Sequence, residues 1–302
     1  MYSSAFYKME ARKRLHGCYH NVVIGTLIYM IPMYVATLLK FVLSEINPNF
    51  IISDGIIDIV INIFVLNIFT VGYFRFLMNT DGESVSERGS DLNLVISGFT
   101  HNFKNTFKIT FLRDLYLLGW GIVALIPMLI YVGIIAYLYA TSGTITGFYE
   151  MSVQFMTSPT TEMAANLYNY VSDNCSFLPY LSIAVMISSI FTCIPLIRKT
   201  FEYAVIPMIV ADNPDMTAKA AFKRSTDIMH GYRKRYFMIQ LSFLHFQILA
   251  SILFAMTAST IVYYICNVFL TPYIYCTLMQ LYIERKNTVE HNTQVYGETN
   301  EW

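Results

Sequence analysis

Apolar residues along this chain gather into runs of about 20, the length a helix needs to cross the hydrocarbon core of a bilayer. In order, the runs cover Val22–Leu43, Ile56–Met78, Leu115–Ala140 and Phe177–Ile197. The stretch from Phe237 to Ile283 is too long for one crossing and divides near Thr257–Tyr263, giving spans at 237–257 and 263–283. Another apolar run, Tyr203–Ala211, is too short to cross and is expected to prolong the fourth helix to about residue 211. The pattern predicts an all-α fold, a polytopic transmembrane helix bundle of six spans. It forms a single integral-membrane domain over residues 1–286, followed by a disordered tail at 287–302. The first run is longer than a signal-peptide apolar region and no A-x-A-like site follows it, so it reads as an uncleaved first span.

The polar positions between the runs set the orientation. Basic residues of short loops near helix ends mark the cytoplasmic side. With the amino terminus inside, Lys8, Arg12, Lys13 and Arg14 are cytoplasmic, as are Arg75, Arg88, Lys104, Lys108 and Arg113 after the second span. Arg198 and Lys199 follow the fourth span, then Lys219, Lys223, Arg224, Arg233, Lys234 and Arg235, with Arg285 and Lys286 at the end of the sixth. Of the 20 Lys and Arg only Lys40 is left outside, and the loop 141–176 contains none. Both termini are therefore expected to be cytoplasmic, in a multi-pass protein of the cell membrane.

Composition narrows the class. Of 302 residues, 55% are hydrophobic, 16% aromatic and only 13% charged, and the formal net charge is zero. Ordinary soluble domains carry about a quarter charged residues. This excludes a disordered chain, a secreted disulfide scaffold and a basic nucleic-acid binder. The net charge of zero is a sum over two unlike faces, a basic inner one and an outer one with Glu45, Asp54, Glu150, Glu162 and Asp173. Cysteines 18, 175, 193, 266 and 276 offer no CxxC pair, so no thiolate metal site is expected.

Two inner segments are amphipathic. Phe99, Phe103, Phe107 and Phe111 recur every four positions, with Lys104 and Lys108 between them. That spacing predicts an interfacial helix lying on the membrane and leading into the third span, with a lipid-headgroup or partner-helix site as the sharper alternative. In 212–231, Asn213 is placed to cap a helix, with Pro214 in its first turn and Asp215 at the positive end of the dipole. Ala218, Ala221, Phe222, Ser225, Ile228 and Met229 make one apolar face, Lys219, Lys223 and Asp227 point away, and Gly231 is the expected terminator. Arg224 and the cluster Arg233, Lys234, Arg235 complete a basic surface. Each such residue adds about 1 kcal/mol of attraction to anionic lipid headgroups.

Ionisable residues at membrane depth are costly and mark functional candidates. Lys40 stands near the outer end of the first span, and Asp54 and Asp58 near the outer start of the second. Asp54, Asp58 and Asn62 are spaced by four, and Lys40 is within reach of Asp58 on a neighbouring helix. With Asn67 they form a candidate polar pocket for a solute or cation. The structural alternative has the aspartates at a helix N-terminus, Lys40 snorkelling, and Asn62 and Asn67 as interhelical hydrogen-bond partners.

Several short segments together resemble a bacterial membrane-protein family known as domain of unknown function 975. They are Tyr203–Ala211 with Asp212-Asn213-Pro214, then Ser225, Met229-His230-Gly231 and Leu241-Ser242-Phe243, and Pro272-Tyr273 in the last span. Lys8, Ala11, Arg12, Leu15 and Gly17 before the first span fit as well, as do Trp120 and Ile126-Pro127 in the third. Two departures stand out. His245-Phe246 occupies a place where the family tends to show Gly-Trp, and the stretch 141–176 looks like an insertion. The resemblance implies a multi-pass membrane protein and brings no established activity.

No phosphate-binding, dinucleotide, zincin or nucleophile-elbow motif is present, and the six histidines are scattered. The expectation is a non-enzymatic protein without cofactor or metal. The leading reading is an accessory or regulatory membrane protein. It would act through its basic amphipathic helix on anionic lipids, a membrane-complex partner or a second copy of itself. The alternative is a small-solute or ion transporter using the polar face of the second span. A polar cavity lined by Asp58, Asn62 or Asn67 marks the transporter. A dry bundle with a free apolar stripe on the 214–230 helix marks the accessory protein.

Overall fold

The computed structural model of the chain describes residues 3–46, 57–80, 91–142, 144–157, 160–174, 177–257 and 260–297. Among these residues every regular element is helical. Six helices are long and apolar enough to cross a membrane: Tyr19–Leu43, Ile57–Asn79, Phe103–Tyr137, Tyr180–Asp212, Arg233–Thr257 and Val262–His291. The chain forms two compact units, residues 1–115 with 200–302, and residues 116–199.

The larger unit opens with α1 (Ser4–Leu15), capped by the Ser3 hydroxyl on the Phe6 amide. Gly17, at φ 86°, lets the chain turn between α1 and α2 (Tyr19–Ile46), because glycine adopts that conformation without strain. The second span, α3 (Ile57–Asn79), contains a π-helical turn over Asn62–Leu66. Beyond it the chain returns through a 3-10 turn (Leu92–Ile96) and the single helical turn α4 (Ser97–Thr100) onto the lower half of α3. Gly72 and Gly98 permit that contact. A Cβ on Gly72 would lie 2.1 Å from the Val95 oxygen, and one on Gly98 2.3 Å from the Ile68 oxygen. Arg75, 9% exposed, clamps the same region. Its Nε donates to Ala211 O at 3.2 Å, and its Nη1 donates to Ser97 O at 3.3 Å and to Ser97 Oγ at 2.9 Å.

The phenylalanine stripe does not lead a separate interfacial helix. Phe103 begins α5 (Phe103–Ser142), which runs unbroken into the third span. Phe99, Phe103, Phe107 and Phe111 stack in sequence, and Phe64 and Phe69 of α3 pack on that stack. Rings stacked against a neighbouring helix have less apolar surface left to immerse in an interface. The fourth long segment, Tyr180–Asp212, carries α8 (Leu178–Glu202) and one interruption near its end. Pro207 lacks an amide hydrogen and its ring clashes one turn back, so the chain turns at 203–205 before α9 (Ile206–Asp212). All of Ile206–Ala211 is buried.

Asn213 closes α9 and does not cap the next helix: its amide donates to Ile209 O at 2.8 Å. The turn that follows is held by Asn102 and Asn105. The Asn105 amide reaches Pro214 O at 2.7 Å and Met216 O at 2.8 Å, and Asn102 reaches Asp215 at 2.7 Å. Thr217 therefore supplies the cap of α10 (Ala218–Met229), and Gly231, at φ 75°, ends the turn after it. Two helices, α11 (Arg233–Leu241) and α12 (Leu244–Thr257), make the fifth span, and α13 (Thr260–Gly297) the sixth. This last helix enters the segment expected to be a disordered tail, and Arg224 of α10 pairs there with Glu290.

The buried core of this unit gathers Tyr7 and Ala11 of α1, Val71–Leu77 of α3, α9, the inner face of α10 and Cys276–Tyr282 of α13. Toward the other end the spans carry exposed apolar side chains such as Leu38 and Phe41, as surfaces meant for lipid do. In the smaller unit, α6 (Thr144–Thr157) and α7 (Thr161–Asn174) occupy the basic-free stretch read as an external loop. Thr192 of α8 donates to Ala124 O of α5 at 3.2 Å.

Candidate functional site

Where the core of the larger unit meets the spans there is a cavity of 630 Å³. Small-molecule sites commonly occupy 300–1,000 Å³. Asn62, Asn67 and Thr70 face it from α3, Gln240 and Gln247 from the fifth span, and Asn267 and Thr271 from α13. Tyr29, Phe74, Tyr236, Phe243 and Tyr275 supply aromatic walls.

Local structure aims these groups. Residues five apart on an α-helix are turned roughly 140° from each other. In the π turn the Asn67 amide bonds to Asn62 O, five residues back, and the wider turn brings both side chains onto one cavity. Asn267 and Thr271 are one turn apart on α13. Gln240 and Gln247 flank the bend at Ser242–Phe243, which is anchored by α1: Lys8 Nζ donates to Ser242 O at 2.9 Å and stands 4.1 Å over the Phe243 ring. Burial lowers the Lys8 pKa, and the charge of Arg12 lowers it further.

One ion pair stands at the cavity wall. Arg113 donates to Asp114 Oδ1 through Nε at 2.9 Å and Nη2 at 2.7 Å, and through Nη2 to Asn67 Oδ1 at 2.8 Å. Asn67 Nδ2 donates back to Asp114 Oδ2. The ring of three is closed, and its charges cancel.

The residues singled out from sequence fall in two places. Lys40 does pair with Asp58, at 2.8 and 2.9 Å, but the Asp58 side chain is 57% exposed and neither residue lines the cavity. Asn62 and Asn67 line it. Asp54 lies outside the described residues. A family profile described as protein of unknown function (DUF975) matches residues 1–287. The chain belongs to the DUF975 family. Comparison with curated proteins finds no match, and comparison with solved structures finds none.

In this DUF975 protein the predicted basic surface is only partly free. Lys104, Lys108, Lys219, Lys223 and Lys234 are exposed. Arg224 pairs with Glu290, Arg233 reaches the buried Glu202 carboxylate at 2.6 Å, and Arg235 stands 5.7 Å over the Tyr232 ring. On α10, Ala221, Ser225, Ile228 and Met229 are buried within the protein, and Phe222 packs edge-on against Tyr203. Sequence reasoning missed Gln240, Gln247, Asn267, Thr271 and the Arg113–Asp114 pair. The available signal was uncharged polar residues recurring at helical spacing inside apolar runs.

Proposed function

We propose that this protein is a non-enzymatic protein of the bacterial cell membrane that binds a small polar solute in the 630 Å³ cavity and passes it across the bilayer. One observation carries the reading: amides and hydroxyls from three spans converge on a single space inside apolar segments. Polar groups at that depth are costly unless they meet one another, water or a solute. The accessory role that led from sequence called for a free apolar stripe on α10, and that face is already covered by the protein's own core. Both termini face the cytoplasm in this reading, because nineteen of the 20 basic residues then lie inside. The exposed lysines near α10 and α5 rest against anionic headgroups.

The test is solute flux. The full chain is reconstituted into phospholipid vesicles, and re-swelling after a hyperosmotic step is followed by light scattering with glycerol, xylitol, glucose, glycine and potassium chloride. The reading expects at least one solute to enter faster than into protein-free vesicles, and Gln247→Leu to remove most of that excess. Rates equal to protein-free vesicles for every solute would refute it.

A further inference from the structure

Resting on the proposed solute-binding role, we infer that the cavity takes an uncharged, hydroxyl-rich solute of polyol or monosaccharide size, and neither an ion nor an amino acid. Three features of the lining point there. Among the described residues, none donates to or accepts from the side chains of Asn62, Gln240, Gln247 or Thr271, all of which line the cavity. Each of the three amides offers a donor and an acceptor side by side, and so does each hydroxyl of a vicinal diol. The Asn62, Gln240 and Gln247 amides are exposed, and exposed amides converging on one space match a ligand that donates and accepts at the same carbon. A bare cation presents no donors, and an inorganic anion presents chiefly acceptors.

Charge argues the same way. The Arg113 guanidinium and the Asp114 carboxylate are spent on each other and on Asn67. Among the described residues lining the cavity the one charged side chain, Arg113, is already matched, and moving a charge out of water without a free counter-charge is costly. The aromatic walls of Tyr29, Phe74 and Tyr275 supply apolar faces for the C–H side of a sugar or polyol, whose rim carries the hydroxyls.

Equilibrium binding to the full-length protein in lipid nanodiscs, measured calorimetrically, tests the inference. The panel is xylitol, glucose, glycine, potassium chloride and sodium phosphate. Saturable binding of xylitol or glucose is expected, weakened at least tenfold by Gln240→Leu or Gln247→Leu and largely restored by Gln247→Asn. Thermal unfolding of each variant confirms that it is folded. Saturable binding of glycine, potassium or phosphate that is lost in the same leucine variants overturns the solute class and leaves the cavity's role intact. Xylitol binding that survives both leucine variants, or no binding by any member of the panel to folded wild type, overturns the inference. In the last case the flux measurement with the same solutes decides separately whether the solute-binding role stands.

Discussion

A methyl group at Gly72 has no room. Its carbon would stand 2.1 Å from the Val95 oxygen and 2.8 Å from the Val95 carbonyl carbon, where ordinary contact begins at 3.4 Å. The obstacle is backbone, which cannot swing aside as a side chain can. The Leu92–Ile96 turn must instead retreat from α3 by about 1 Å, carrying Ser97 away from the Arg75 guanidinium. Overpacking of this kind costs about 1–3 kcal/mol, and loosening a hydrogen bond to a charged group adds about 1 kcal/mol or more. Alanine's better helix propensity returns up to about 1 kcal/mol, so Gly72→Ala should destabilise by about 1–3 kcal/mol. The assay is loss of helical circular dichroism of the full chain in detergent micelles titrated with dodecyl sulfate. Gly133→Ala is the control, because a Cβ there meets nothing within 4 Å. It should leave stability unchanged or raise it by up to about 1 kcal/mol. A Gly72→Ala protein within about 0.5 kcal/mol of wild type, the usual range of a harmless surface change, would show that the turn does not seat on α3 as described.

Three further outcomes follow from named contacts. Asp58→Asn should change stability by no more than about 0.5 kcal/mol and leave solute flux untouched, since the Lys40 pair is exposed and off the cavity; a large loss of flux would place that pair in the pathway. Asp114→Asn strips the counter-charge from the mostly buried Arg113 and should cost about 3 kcal/mol in the same titration, with wild-type stability as the contrary result. The Tyr7 hydroxyl is raised above its ordinary 10.0 chiefly by burial and then by its bond to Glu284. A raised pKa means that its stabilisation is complete below about pH 10 and is lost as pH climbs toward the folded value. Wild type should therefore lose its melting-temperature advantage over Tyr7→Phe above about pH 10, and an advantage that stays constant through that range would contradict the contact.

Hydropathy alone pointed to six long apolar helices, and the structure has six, because a run of apolar side chains long enough to cross a bilayer has few other readings. The Lys40–Asp58 pair was legible for a similar reason: two opposite charges at matching depth on consecutive spans have little else to meet. What escaped was set by contacts distant in sequence. The cap of α10 moved from Asn213 to Thr217 because Asn102 and Asn105, more than a hundred residues upstream, hold the intervening turn. The turn ahead of α9 follows from Pro207, whose consequence was there to be read. The π turn was not, since nothing in Asn62-Ile-Phe-Val-Leu distinguishes a five-residue turn from an ordinary one. That turn is what unites Asn62 with Asn67. Gln240, Gln247, Asn267 and Thr271 stand apart as single polar residues in the sequence, and the fold sets them around one space.

Solvent access at Gln247 tests the cavity most directly. Gln247→Cys is compared with Leu249→Cys, two residues along the same helix and 54% exposed on an apolar surface. Both are measured in lipid vesicles against the wild-type background of native cysteines, using a charged, membrane-impermeant thiol reagent. The account predicts that the cysteine at 247 reacts well above background, that the one at 249 does not, and that saturating xylitol slows the reaction at 247. Equal and negligible labelling at both positions would mean that Gln247 faces lipid or packed protein, and the solute cavity would have to be abandoned.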